Sequence, residues 1–220
     1  MLEIIDLHFQ YPETTVNYRF NLRLKRGEVL ALSGPSGAGK STLLDLVAGF
    51  LTGGSGVIMV DGIDITALSV DRRPVTILFQ RHNLFEHLTV ETNVALGLSA
   101  NLRLTADDWA RVHQALADVG IAALASASAA RLSGGEQQRA ALARSLVRAK
   151  PVLLLDEPFA ALDPETRGEM LALVRRIVDA RKLMVLMVTH DQNDAERIAD
   201  RHMVLRNGEL TESTLEQTPK

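Results

Sequence analysis

Val29-Leu-Ala-Leu-Ser-Gly34-Pro35-Ser36-Gly37-Ala38-Gly39-Lys40-Ser41-Thr42 decides the fold class of this chain. Its first four residues are apolar without alternation, as in a strand covered on both faces of a parallel sheet. Glycines then free the backbone to turn sharply, and beyond Thr42 the apolar residues Leu43, Leu44, Val47 and Ala48 recur at helical spacing. Strand, glycine loop and helix in that order make G-x-x-x-x-G-K-[ST] read as a phosphate-binding loop, not as a turn that merely joins two elements. In such a loop backbone N–H groups turn inward around the β and γ phosphates and the helix offers its positive amino end. Lys40 adds a point charge and Ser41 a hydroxyl directed at magnesium. The expected ligand is a nucleoside triphosphate with Mg2+, and Gly53-Gly54 is expected to end the helix.

The same pattern recurs outward from the loop. Val152-Leu-Leu-Leu155 is a second doubly buried run, and it delivers Asp156 and Glu157 to the carboxyl edge of the sheet, where ligands of open α/β sheets bind. Leu183 to Val188 likewise delivers Thr189-His190, and Val75 to Phe79 delivers Gln80. Phe20 to Lys25 alternates instead, so Phe20, Leu22 and Leu24 share one face of a half-exposed strand. Val57 to Val60 is a further strand before an Asp61-Gly62 turn, and Met203 to Gly208 suggests a last strand with a tight turn.

From about Thr89 to Ala130 the strand signal fades. Thr105-Ala-Asp-Asp108 reads as a capping box opening a helix whose apolar face carries Trp109, Val112, Leu116 and Val119. Residues 122–130 form an Ala/Ser connector, Glu136 to Arg148 a helix closed by Pro151. The expected organisation is one domain over 1–220. Its α/β core takes about 1–88 and 131–210, a helical subdomain 89–130, and a polar, fraying tail 211–220.

Composition narrows the function. With 220 residues, 46% hydrophobic and 23% charged, the chain can bury a sizeable core. A net charge of -3 provides no global basic surface, so nucleic acid is not an expected partner. Cysteine is absent, which removes disulfides, thiolate metal sites and a catalytic thiol. No apolar run approaches the roughly 20 residues that cross a bilayer, and the amino terminus lacks a secretory signal. Any membrane role is expected to come through a partner.

Leu132-Ser133-Gly134-Gly135-Glu136-Gln137-Gln138-Arg139 supplies a second helix amino end suited to an anion, although one γ phosphate needs only one such cradle. Phosphate loop and octapeptide together resemble the ATP-binding subunit of ABC transporters, over nearly the whole chain. The resemblance implies an α/β P-loop NTPase core of RecA-like type, with a mainly parallel sheet, an antiparallel β subdomain and an inserted α-helical subdomain. It implies ATP and Mg2+ as ligands, with ATP on Gly34 to Thr42 and the metal on Ser41, Gln80 and Asp156. Glu157 becomes the general base, His190 the holder of γ phosphate and water, and Gln80 a sensor of magnesium and the water that joins the core to the helical lobe. Ser133, Gly134, Gly135 and Asp163 are assigned to the ATP of a second subunit in a head-to-tail homodimer. Tyr11 resembles the aromatic residue that stacks on adenine, though a tyrosine before Pro12 also serves as packing.

Within the family, Asp156 to Asp163 is of importer style, and Arg72 to Leu98 is similar to the members that drive thiamine import. That resemblance implies an integral membrane permease as partner, a periplasmic solute-binding protein reached indirectly, and the cytoplasmic face of the bacterial membrane as location. The chain departs from the pattern at Ala130-Arg131, at Glu136, where glutamine is commoner, and after Gly208. Import of another small solute, and an exporter or lipoprotein-releasing complex, remain alternatives. Leu84, Phe85, Leu88 and Val90 read either as core or as the surface that receives the permease.

Overall fold

A computed structural model describes residues 1–79 and 84–213. Among these residues ten strands form one continuous sheet with two halves of different grammar. In chain order the strands are β1 (Leu2–Phe9), β2 (Tyr18–Leu24), β3 (Val29–Ser33), β4 (Ser55–Val60), β5 (Ile63–Asp64), β6 (Val75–Leu78), β7 (Val152–Asp156), β8 (Met184–Val188), β9 (Arg201–Arg206) and β10 (Glu209–Ser213). Their spatial order is β5-β4-β1-β2-β10-β9-β3-β8-β7-β6. From β9 to β6 every pair is parallel, whereas β5-β4-β1-β2 is antiparallel and β10 joins the halves by pairing Glu209 with Arg19.

Among the described residues six α-helices accompany the sheet: α1 (Lys40–Ala48), α2 (Val90–Ala95), α3 (Ala106–Asp118), α4 (Gly134–Leu146), α5 (Pro164–Arg181) and α6 (Gln192–Ile198). The parallel strands send alternate residues to two cores, as a pleat of period two requires. Leu30, Leu32, Val152, Leu154 and Leu186 join the α1 residues Leu43, Leu44 and Val47, together with Leu2, Phe20 and Leu22 of the antiparallel half. Val29, Ala31, Leu153, Leu155 and Val185 join α4, α5 and the helical segment. Both faces are therefore covered, which is why these strands read as unbroken apolar runs.

The helical segment has no core of its own. Val94 of α2 and Val112 and Leu116 of α3 belong to the same cluster as Leu153 and Leu155, and α2 and α3 pack on α4. Its two ends clasp each other: the Val90 N–H donates to the Ala127 carbonyl, and the Ala129 N–H to the Leu88 carbonyl. The Thr105–Asp108 capping box forms at the start of α3, and Trp109 packs partly buried against this core.

Several expectations are corrected. Helix α1 stops at Gly49, not at Gly53-Gly54: Gly49 adopts φ 88° and its N–H caps the Asp45 carbonyl. Phe79 lies beyond β6, and α4 starts two residues before Glu136 because Ser133 caps it. The 122–130 connector contains two short 3-10 turns, at Ala122–Leu124 and Ala129–Arg131. Thr211 to Ser213 are not a fraying tail but part of β10, reached through Asn207-Gly208, both at positive φ as a tight hairpin demands. Strand β1 goes unread in the sequence because a bulge between Ile4 and Leu7 breaks its alternation at Asp6 (φ 44°).

Candidate active site

Strand register assembles the site. Leu32 of β3 stands opposite Val188 of β8, and Val188 stands opposite Asp156 of β7. Residues one step further along each strand emerge side by side: Ser33-Gly34, Thr189-His190 and Glu157. The Thr189 N–H donates to the Leu32 carbonyl at 3.1 Å and the Glu157 N–H to the Val188 carbonyl at 3.0 Å, fastening the three turns together.

Glycine shapes the phosphate loop. Gly34 has φ 150°, and a Cβ there would lie 2.3 Å from the Leu205 carbonyl oxygen; Gly39 has φ 105°, and its Cβ would strike the Tyr18 ring at 2.2 Å. Both positions need glycine for conformation and for room. The N–H groups of Ser36, Gly37 and Gly39 donate to no group among the described residues, so they are available to an anion. Lys40 Nζ donates to the Gly34 and Pro35 carbonyls at 2.8 and 2.9 Å, crossing the cradle that its charge serves. Ser41 is exposed and Thr42 buried; Pro35 and Ala38 close the loop through a 3.2 Å backbone bond. Tyr11 reaches the far end of the loop, its hydroxyl 3.2 Å from Thr42 Oγ1, with its ring edge-on to Phe9 and Tyr18.

Carboxylates line the opposite side. Burial, then the charges of Glu157 and Asp45, raise the Asp156 pKa above its ordinary value, while Lys40 pulls it down. Asp45, one helical turn beyond Ser41, is itself raised by burial. Three acids and one lysine meeting in a half-buried site are the electrostatics a divalent cation relieves, so Asp156 and Ser41 fit the magnesium expected there. Glu157 occupies the left-handed region at φ 44°, rare for a residue of its size, and its Oε2 lies 3.2 Å from His190 Nδ1. Gln80 lies outside the described residues.

Ser133, Gly134, Gly135 and Asp163 gather elsewhere. Ser133 and Glu136 form a capping box at the start of α4, and Asp163 caps α5 through the Glu165 and Thr166 N–H groups. Gly135 leaves no room for a side chain beside Thr166, which brings the two helix starts together around a cleft of about 380 Å³. None of its lining residues belongs to the phosphate loop.

Sequence reasoning missed Asp45, Gln138, Arg167 and His202. Asp45 was findable, since its spacing from Ser41 puts both on one face of α1. His202 was not: its Nε2 meets Ser33 Oγ at 2.8 Å only because β9 lies beside β3. Burial lowers the His202 pKa.

Comparison with known proteins shows the family. The ABC transporter family model matches residues 18–160. The chain is 49% identical over 210 residues, 96% of its length and 90% of the relative's, to the thiamine import ATP-binding protein ThiQ of Escherichia coli K12. The same figures hold for ThiQ of Shigella boydii. Among solved structures, the ATP-binding cassette MJ0796, a dimer bound to ADP and Pi, superposes with a TM-score of 0.82 at 30% identity, covering 98% of this chain and 99% of that one.

Proposed function

Because the chain belongs to the ABC transporter family, as an ATP-binding subunit with ATPase activity, we propose that it energises the import of thiamine through a membrane permease. The thiamine assignment is supported by likeness to thiamine import subunits along almost the whole chain. The hydrolytic reading is carried by one observation, the Glu157–His190 pair beside the phosphate loop.

In this reading residues 34 to 42 hold ATP by their inward N–H groups and Lys40, with Tyr11 against the adenine. Magnesium, where bound, would be held by Ser41, Asp156 and Gln80 and would offset phosphate charge. Glu157 accepts the proton of the attacking water as its oxygen bonds to the γ phosphorus and the bond to the ADP oxygen breaks. His190 orients Glu157 and the γ phosphate, and Gln80 links this site to the helical segment. One copy presents its phosphate loop while the other covers it with Ser133, Gly134, Gly135 and Asp163. Two nucleotides are then enclosed head to tail, which accounts for the separation of loop and cleft within one subunit.

The chain acts as a single nucleotide-binding domain, with 89–130 as a lobe on the α/β core. Phe50, Phe79 and Phe85 are exposed, and the Phe50 and Phe79 rings lie 6.1 Å apart. These exposed rings receive the permease, which holds the subunit peripherally at the cytoplasmic face and itself meets the periplasmic binding protein. Among the described residues no helix is long and apolar enough to cross a membrane.

Uptake of labelled thiamine by a strain lacking and then regaining the chain tests the cargo; unchanged uptake would assign the subunit to another solute. Glu157→Gln keeps shape and hydrogen bonding but cannot take the proton. It should fail to restore uptake and abolish hydrolysis while ATP still binds and closed dimer accumulates, and wild-type turnover would remove Glu157 from the chemistry.

A further inference from the structure

Among the described residues two buried side-chain polar atoms lack a hydrogen-bond partner, Gln138 Oε1 and Arg167 Nε. Both belong to side chains that hold one loop, residues 158–163, which follows Glu157 and ends at Asp163. Gln138 Nε2 donates to the Pro158 carbonyl at 2.6 Å, tying α4 to the residue after Glu157. Arg167 Nη2 donates to the Ala160 and Leu162 carbonyls at 3.3 and 3.1 Å, and Nη1 to Asp191 Oδ2 at 2.8 Å. Buried polar groups are nearly always satisfied, so two orphans at one loop mark a place where geometry is kept against its cost.

The far end of the Arg167 bridge is equally fixed. Asp191 follows His190, caps α6 by accepting from the Asn193 N–H with Oδ1, and donates its own N–H to Thr189 Oγ1. Glu157, His190, Arg167 and Asp191 line one tight cavity with the buried Asp194. Burial and the neighbouring Asp191 charge raise the Asp194 pKa, and Arg167 opposes both. A guanidinium thus spans from the loop bearing Asp163 to the turn bearing His190, using a planar fork that lysine cannot reproduce.

We propose that Arg167 is a positioning residue that makes the 158–163 loop and the His190 turn move as one body, so that the loop offered to the second subunit sets the orientation of the histidine. The proposal rests on the ATPase reading above for its consequence in catalysis, but its mechanical content can be read without hydrolysis. Arg167→Gln should lower kcat about tenfold or more, as misplacement of a catalytic group does, with KM for ATP and nucleotide affinity within about twofold. Asp191→Asn retains a cap for α6 and should match it; if Arg167→Gln folds poorly, this variant carries the kinetic test. The double variant should be no slower than the slower single one, since both break one link.

The absence of cysteine permits a single spin label through Ala161→Cys. Arg167→Gln in the full chain, or Asp191→Asn in its place, should raise the mobility of that label and also shift the His190 imidazole resonance. Movement of the label with the histidine resonance unchanged would reduce Arg167 to a clamp on the loop and overturn the coupling, as would wild-type kcat in both single variants. If the unaltered chain failed to hydrolyse ATP, the functional reading would fall while label and resonance still decided the mechanical link.

Discussion

Asp156 illustrates what a nucleotide site costs its own fold. A carboxyl whose pKa is raised in the folded chain stabilises that fold fully below its unfolded value of 3.8 and loses the contribution as pH rises through the folded value. Above the folded value the chain carries an ionised Asp156 against burial and against Glu157 and Asp45. Asp156→Asn should melt higher than the parent at neutral pH, and the gain should shrink as the solution is acidified. Thermal scans across that range check the sign, and a gain that persists in acid would place the effect elsewhere. This residue was legible in the sequence because its chemistry is contiguous: an apolar strand followed directly by two acids. Arg167 was illegible for the converse reason, since its partners come from another turn and from carbonyls that carry no sequence signal.

At the scale of elements, the end of α1 is held by a side chain far away in sequence. Arg73 is 1% exposed and donates to the Leu46, Val47, Thr66 and Leu68 carbonyls at 2.6 to 3.0 Å. It satisfies helix-end carbonyls that otherwise have no partner. A Cβ at Gly49 would lie 2.7 Å from Arg73 Nε, so glycine and arginine at this joint require each other. Arg73→Met would leave several buried carbonyls unpaired and should cost about 3 kcal/mol or more in denaturant unfolding. A loss under about 1 kcal/mol would mean that water replaces the guanidinium. The helix end was misplaced in the sequence because Phe50 and Leu51 continue the apolar pattern past Gly49. The doubly buried strands were found without difficulty, because burial on both faces leaves a short unbroken run rich in Val and Leu, bounded by polar or turn residues.

For the molecule as a whole, the apolar cluster after β6 now has an orientation. Phe85 is 49% exposed, so of the two sequence readings the structure excludes it from the core, while Leu84 packs partly buried and Val90 is fully buried. Phe85→Ala should leave stability within about 0.5 kcal/mol, as surface changes do. Co-purification with the permease and cargo-stimulated turnover should fall by the equivalent of about 2 kcal/mol. A large melting shift with normal assembly would sink the docking reading.

The sheet also has an order in time. Strand β3 leads into the phosphate loop, yet its neighbours on both sides are β8 and β9, and Gly34 packs on the Leu205 carbonyl. Translation delivers β3 early and these neighbours late, so a nascent chain carries the whole glycine motif before the strands that flank β3, or the carbonyl against which Gly34 packs, have been made. Distant pairings of this kind are slow to form and expose apolar strands meanwhile. β10, which joins the sheet halves, comes later still. The order of synthesis thus puts the glycine motif first and Glu157, His190 and the flanking strands last, so the site is assembled only as the second half of the chain is made.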